Sequence, residues 1–588
     1  MTSHPADGDA GRAISYLPRS SETVSGRVST LKGTLPKVMH HDNLLSPERI
    51  SGDLPDEVDV VVVGGGAAGC VLAARISEVP GCRVLLLEAG STTGLEPDAR
   101  IPGATMRLWG GPASWGDSSA PQQSLSGRRV AFLQGRGLGG GSSMNGMVWF
   151  HGDPVDYDGW HAGGATGWAW KNVQPVFRAI ESSDFGDGEW HGSRGPMRVT
   201  RPRDVTALPL SFVAAGAELG LPVVEDFNGA EREGIGLLQA NIDDGRRHSV
   251  VDGYLRPALG RPDLTVRIET LVTSIVIERG RATAVECTDA QGRSRRVAAR
   301  RAVVLAAGAL RTPQLLMLSG IGPAGHLREH GVEVIRDLPA VGANLQDHPQ
   351  VPTTWPVIDG SQLWSSVTDA DRRAYQLLRR GPLASYVQAG AKVRTRSDLP
   401  SPNIQLTLAL IGGDRSERMS ESAVRCVVVV CHLTPVSRGE VRLATADPAA
   451  PPLVDPKYVA ARADREDLAE GLRLVQRLFQ TAPLKAATGG QALGPGAWDD
   501  DTLDTWIQDS CMSTFHPVGT CRMGTDPAAV VNSATMEVNG IPGLHVTDAS
   551  VMPSIPRANT HAPTIMIAER AAQLMRQAMA GGAPRQTL

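Results

Sequence analysis

Three groups of residues in this 588-residue chain have the types and spacing to do chemistry. The first is Gly64, Gly66 and Gly69 within GGGAAG, a GxGxxG turn that also carries Ala67 and Ala68. In such a turn the first glycine permits a tight bend. The second lets backbone approach a pyrophosphate, and the third lets a helix pack closely on a strand. The helix N-terminus that follows offers free N–H groups and a partial positive charge to phosphates. Glu88, nineteen positions after Gly69, stands where an acid accepts hydrogen bonds from an adenosine ribose, with Ala89 beside it. A glycine turn alone can be purely structural, and Glu88 alone can be a solvent-facing strand cap. Strand, turn, helix, strand and acid in sequence predict a dinucleotide site, without choosing FAD or NAD.

The second group is the run GRGLGGGSSMNG, Gly135–Gly146. Consecutive glycines such as Gly139 and Gly140 let a backbone press against a flat ring system, and the small Ser142 leaves it room. The bland alternative is a flexible surface loop. The third group is drawn from 14 histidines. A histidine titrates near neutrality, which suits proton transfer. His516 precedes Pro517, which biases it to extended backbone, and read alone it is a structural loop residue. His561 lies two residues before Pro563, at the mouth of the last apolar-periodic stretch, where a helix-capping contact is the bland reading.

The elements that must position these groups are legible around them. VDVVVV from Val58 reads as a buried strand, Cys70–Ile76 as a helix, and RVLLLE (Arg83–Glu88) as a second buried strand. This βαβ opening implies a parallel sheet. Residues from about 90 to 195 are rich in Gly, Trp and Pro, and their Gly-rich core, Gly135–Gly146, is too loop-like for any regular element. Leu264–Cys287 alternates and turns at Arg279–Gly280, as a meander or hairpin does, and Ala302–Leu310 is another buried strand ending in glycine. Residues from about 350 to 505 carry strand-like runs of an antiparallel sheet and an amphipathic helix over Asp464–Gln480.

Bulk properties narrow the classes. A chain of this length exceeds the size of a single core, so more than one domain is expected. The net charge of −4 argues against a nucleic-acid partner. Seven cysteines with no CxxC pair argue against a disulfide framework or zinc site and fit a reducing, cytoplasmic setting. No aliphatic run approaches the ~20 residues of a membrane span. Residues 1–55, polar and without periodicity, read as a flexible or strap-like arm.

Longer blocks then carry a resemblance. Gly135–Asp158, Gly308–Gly322, Val341–Pro349 (VGANLQDHP), Phe515–Gly524 (FHPVGTCRMG) and Val546–Glu569 resemble, in order, the signatures of the glucose–methanol–choline (GMC) oxidoreductases. The resemblance implies an α/β fold. A Rossmann-like, discontinuous FAD-binding domain would span 56–345, with inserted segments near 155–240, and return over 511–580. An α+β substrate domain with an antiparallel sheet would span 346–510. It implies FAD-dependent oxidation of a small-molecule alcohol to an aldehyde or ketone, with dioxygen, a quinone or another electron acceptor, in a monomer or homodimer. His516 matches the family's catalytic histidine and His561 its partner, which hydrogen-bonds the substrate oxygen. A slip of the match would exchange His561 with Asn559. Asn145 and Gly146, Val272, Ala307 and Gly308, Asp548 and Ala549, and Pro563 and Thr564 fall where the family contacts FAD. Some members tether the flavin through a histidine where this chain has Met144, so the FAD is expected to be non-covalent. Lyase action on cyanohydrins, light-driven fatty-acid decarboxylation, and flavin binding without catalysis are the competing readings of the same blocks.

Overall fold

The computed structural model describes residues 50–358, 367–410 and 425–581. The expected arm lies, up to residue 49, outside the described residues.

Two sheets organise the molecule. In the first, β1 (Glu57–Val63) lies between β2 (Val84–Leu87) and the long strand Ser294–Leu305, all parallel. Six of the seven β1 residues are buried, because a central parallel strand is covered on both faces. Leu264–Arg267 extends the parallel order beyond β2. It therefore leaves the expected meander; only Leu271–Glu278 and Arg281–Thr288 form the antiparallel hairpin, added at the other edge. Leu544–Val546 returns from the C-terminal region to pair in parallel with Val303–Leu305.

The second sheet has six strands, all antiparallel, in the order Met512–Ser513, Pro349–Pro356, Arg425–His432, Ile404–Ala409, Val387–Val393 and Gly234–Leu237. The helix Arg462–Gln480 buries Leu468, Leu472, Val475 and Phe479, and Phe479 stacks on Trp355 of this sheet at 3.9 Å between centroids.

Two helices begin where the first sheet's strands end, and a third follows its last strand after an intervening loop. α1 (Ala67–Ile76) follows β1, α2 (Gly308–Leu318) follows Leu305, and α3 (His561–Met579) closes the fold. α3 starts two residues before Pro563, which sits in its first turn, where a missing N–H costs nothing. Glu569 of α3 is bonded by Arg75 of α1 and by the Tyr254 hydroxyl, both at 2.8 Å.

The Gly-rich core, expected to hold no regular element, makes one 3₁₀ turn over Gly140–Ser143, and the stretch after it holds the helices Pro154–Ala162 and Trp170–Ile180. Asp153, Pro154 and Asp156 make a capping box with proline in the first turn, a start signal hidden by the surrounding glycines. Among the described residues no helix is long and apolar enough to cross a membrane, and no group of side chains is placed to hold a metal ion.

Candidate active site

The glycine turn divides by what each glycine is for. A Cβ on Gly69 would fall 1.8 Å from the Gly64 carbonyl oxygen, and Gly64 itself has φ +100°. Gly69 serves the fold, and Gly64 makes the turn. A Cβ on Gly66 would meet nothing of the protein nearer than 4.0 Å, and one on Gly141 nothing within 4 Å. Both residues, together with Gly64, line a cavity of about 440 Å³ that reaches from the glycine turn to His516 and His561. Backbone is bared there toward open space, which is the form a pyrophosphate and a flat ring require.

Glu88, at the end of β2, lines the same cavity. Its carboxylate accepts from the Gly65 and Gly90 N–H groups, both at 2.7 Å, and burial pushes its pKa up against those bonds. α1, α2 and α3 all bring N-terminal residues to the lining (Ala67, Gly308 and His561), so three positive helix ends converge on one space. Asp548 caps α2, accepting from Gly308 N–H at 2.8 Å and the Thr312 hydroxyl at 2.6 Å, and it also lines the cavity. Asp548 therefore both holds the start of α2 and faces the cavity.

Of the expected cofactor contacts, Ala68, Ala89, Gly140, Ser142, Met144, Asn145, Gly146, Val272, Ala307, Ala549 and Thr564 also stand in the lining. Gly69, Gly139 and Pro563 do not. Gly139, at φ +87°, turns the chain against Ser143, where a Cβ would come within 1.9 Å of the hydroxyl; Pro563 is buried inside α3.

At the other end, His516 and His561 do not face each other through a hydrogen bond. His516 Nδ1 lies 3.0 Å from His348 Nδ1, and His348 Nε2 lies 3.2 Å from the Leu433 carbonyl. A carbonyl only accepts, so His348 Nε2 carries a proton. Burial drives the His348 pKa well below its ordinary value, which keeps the ring neutral and makes its Nδ1 an acceptor. His516 must then donate from Nδ1. Burial pushes the His516 pKa down to about 3, so at neutral pH its Nε2 holds a lone pair, with the Asn559 amide 3.3 Å away. A neutral histidine whose Nε2 lone pair faces the cavity has the form of a proton acceptor.

The backbone at His516 is held tightly. Phe515 takes φ +65°, a left-handed conformation that a bulky residue adopts only when its surroundings impose it. The buried carboxylate of Asp347 accepts from His516 N–H at 2.8 Å and from the Tyr458 and Ser513 hydroxyls; desolvation raises its pKa to about 6. Gln405 of the second sheet donates to the Asn559 side-chain oxygen at 3.4 Å, and the chain leading into Asn559 is pinned at Arg557. Asp156 bonds the Arg557 N–H at 2.8 Å, while the buried Lys392 of the second sheet donates to the Arg557 carbonyl at 3.0 Å.

His561 opens α3, and its Nε2 lies 2.8 Å from the Ser142 hydroxyl. Burial, then the nearby Arg247 guanidinium, push its pKa down to about 3. Structure thus brings Asn559 beside His516 and sets His561 against the glycine-rich loop. His348 escaped sequence reasoning although it sits in VGANLQDHP; the signal was a second His-Pro pair, His348–Pro349, matching His516–Pro517. The second sheet supplies Gln350, Gln405, Thr407, Val427 and Val429 to the lining, and Trp109 meets Tyr386 and Phe515 edge-on at 6.2 and 6.0 Å.

Comparison with known proteins follows this geometry. The two family models described as GMC oxidoreductase match residues 58–350 and 435–568. An oxygen-dependent choline dehydrogenase of Rhizobium etli is 37% identical over 533 residues, covering 88% of this chain and 95% of the relative. An alcohol dehydrogenase [acceptor] of Pseudomonas putida is 35% identical over 528 residues, with the same 88% and 95% coverage. The crystal structure of pyridoxine 4-oxidase from Mesorbium loti superposes with a TM-score of 0.81 at 32% identity, covering 88% of this chain and 99% of that one.

Proposed function

The chain belongs to the GMC oxidoreductases, and from that premise we propose that it oxidises a neutral, apolar-bodied alcohol with His516 as the base. It is an FAD-dependent enzyme acting on an alcohol CH–OH group. The open backbone at Gly66 and Gly141, the convergent helix ends and the placement of Glu88 fit that cofactor. Bound FAD supplies a hydride acceptor that no side chain provides.

The observation that carries the role of His516 is the proton order from Leu433 through His348. It leaves the Nε2 lone pair of His516 at the cavity. The substrate hydroxyl gives its proton to that nitrogen. The 3.3 Å contact from Asn559 is long enough for the hydroxyl to share or replace it. The Asn559 amide then donates to the substrate oxygen, and His561 steadies the Ser142 end of the loop.

Substrate class follows from the lining. Trp109, Tyr386, Phe515, Met512 and Val429 make it apolar and aromatic. Its carboxylates are otherwise engaged: Glu88 on backbone, Asp117 on Arg311 at 2.7 Å, Asp548 on α2. A quaternary ammonium alcohol, which the choline dehydrogenases' name denotes, would find aromatic rings without a free carboxylate among the described residues. Residues 56–345 and 511–580 hold the nucleotide in this reading, and 346–510 with the segment near 155–240 face the substrate. Met144 has a thioether, which makes no bond to a flavin, so the FAD is held non-covalently.

Anaerobic mixing with a panel of alcohols tests the reading: neutral aromatic or branched alcohols bleach the flavin and choline does not. Bleaching by choline alone overturns the substrate class. Cyanohydrin cleavage or light-driven CO₂ release without bleaching would favour the lyase or decarboxylase, which the relatives' names do not support. Repeating the screen under air and with an artificial acceptor separates oxidase from dehydrogenase. Acid precipitation should leave the flavin in the supernatant; yellow colour in the pellet overturns non-covalent binding.

A further inference from the structure

The wall behind Ser142 and Asn145 holds a charge that the proton chemistry does not use. Arg247 is 2% exposed. Its guanidinium donates to the Ala99 carbonyl at 2.9 Å, the Asn145 side-chain oxygen at 2.6 Å, the Thr105 hydroxyl at 2.7 Å and the Ser142 carbonyl at 3.4 Å. All four acceptors are neutral. Among the described residues no carboxylate lies within 4.0 Å of it. Asp252 acts on it only at a distance, and that carboxylate is shared by Arg100 at 3.4 Å, Arg256 at 3.7 Å and the Ser249 hydroxyl at 3.0 Å. The other titratable groups it acts on, His561 and Tyr386, are both neutral at pH 7, because burial pushes the first down to about 3 and the second up from its ordinary value.

Burying a cation without a paired anion is expensive, and neutral hydrogen bonds offset only part of the cost. Desolvation pulls Arg247 down to about 9, which still leaves it charged at neutral pH. The charge sits behind two residues that line the cavity, at the end where α3 begins. Fixed charges in a dry site act on charge that develops there far more strongly than they would in water.

We propose that Arg247 is a fixed cation that stabilises the negative charge the flavin gains on reduction and so sets its redox potential. This rests on the flavin-dependent reading above. A neutral flavin that receives a hydride takes two electrons and one proton, and so acquires one negative charge unless a second proton follows. Arg247 reaches the cavity through Asn145 and Ser142; it tunes the site and takes no proton.

The test uses the holoenzyme of wild type, R247Q and R247K. Gln keeps hydrogen-bonding capacity and removes the charge; Lys keeps the charge and loses the fork. In R247Q the equilibrium constant for two-electron reduction should fall at least tenfold, a drop of about 30 mV in midpoint potential. Sulfite, which adds to flavin as an anion, should bind correspondingly more weakly. R247K should stay within threefold of wild type. A wild-type potential in R247Q overturns the proposal. Equal shifts in R247Q and R247K also overturn it, since the hydrogen bonds to Asn145 and Ser142 would then be what matters. Weakened binding of carboxylate inhibitors with an unchanged potential overturns it in favour of an anionic substrate. Should R247Q not retain flavin, spectroscopic titration of the flavin N3–H in wild type decides. A pKa below that of free FAD supports the fixed cation, and one at or above it overturns it. If no alcohol bleaches the wild-type flavin, the functional reading fails, while the sulfite and N3–H titrations still decide Arg247.

Discussion

His516 with His348, and His191 with His151, are two histidine pairs set apart by what faces their rings. His348 leans on a carbonyl and His516 on a neutral ring and an amide, so both rings stay neutral and one nitrogen keeps its lone pair. His151 and His191 instead share the buried carboxylate of Glu181, at 2.9 and 2.7 Å, and His191 reaches Asp226 at 2.8 Å with its other nitrogen. Hydrogen bonds to the two acids hold the His191 pKa up at about 9 against burial. The two histidines hold the Glu181 pKa down at about 2, again against burial. Glu181 also accepts from the Trp149 indole at 3.1 Å, and Trp149 packs edge-on against His561. Acid neighbours hold a histidine charged, whereas a neutral ring and an amide leave it neutral with a lone pair.

The sharpest way to break this contrast is His516→Ala. It should keep bound flavin and lose about 10²–10⁴-fold in kcat/KM, the usual worth of a general base. His191→Ala should leave kcat/KM per bound flavin within a few-fold. Similar losses in both would erase the distinction.

Glu181→Gln comes next, because it removes one of the two acids that pair with His191, the more deeply buried one. Breaking a buried ion pair costs about 3–5 kcal/mol. Thermal or urea melts should show the loss, with turnover of the surviving folded enzyme little changed.

His348→Ala should act through His516 alone. It orphans the buried Nδ1–H, a penalty of about 1–3 kcal/mol, or roughly ten- to a hundredfold in kcat/KM if the base bears it. The double variant with His516→Ala should be no slower than His516→Ala itself. Additive losses would show that His348 has an independent role.

The smallest effect is in pH dependence, and it has opposite signs for the two partners of the acid cluster, His191 and Glu181. His191 has a folded pKa raised from 6.5 to about 9. Its stabilisation is complete below pH 6.5 and disappears as pH rises through 9. Glu181 has a folded pKa lowered from 4.5 to about 2, so its stabilisation is present above pH 4.5 and is lost as pH falls through 2. Melting temperature should therefore decline between pH 6.5 and 9, and His191→Gln should flatten that decline. His516, with its pKa lowered, should keep kcat/KM level as pH falls through 6.5, where an ordinary histidine base would titrate.

Much of this was readable residue by residue. GGGAAG followed by RVLLLE predicted the strand, turn, helix and strand that the fold contains, and Glu88 stands in the cavity lining, because each is a local pattern with one geometric use. The long family blocks brought in His516 and His561. Local patterns failed where pairing is remote. Leu264–Arg267 reads as hairpin in sequence and joins β2 as a parallel neighbour, since nothing within four residues states which edge a strand will find.

What the sequence determined by itself was the set of local commitments: glycines where backbone must be bare, buried runs where strands must be central, and prolines and caps where helices must begin. Only the tertiary structure decided which ring faces which acceptor. His348 and His516 are 168 positions apart, Asn559 is 43 from His516, and Arg247 is 102 from Asn145. A histidine's protonation, an arginine's lack of an anion and an asparagine's reach depend on neighbours delivered by the packing of both sheets. The electrostatic energy that sets them depends on distance and burial, and neither is written in the order of the residues.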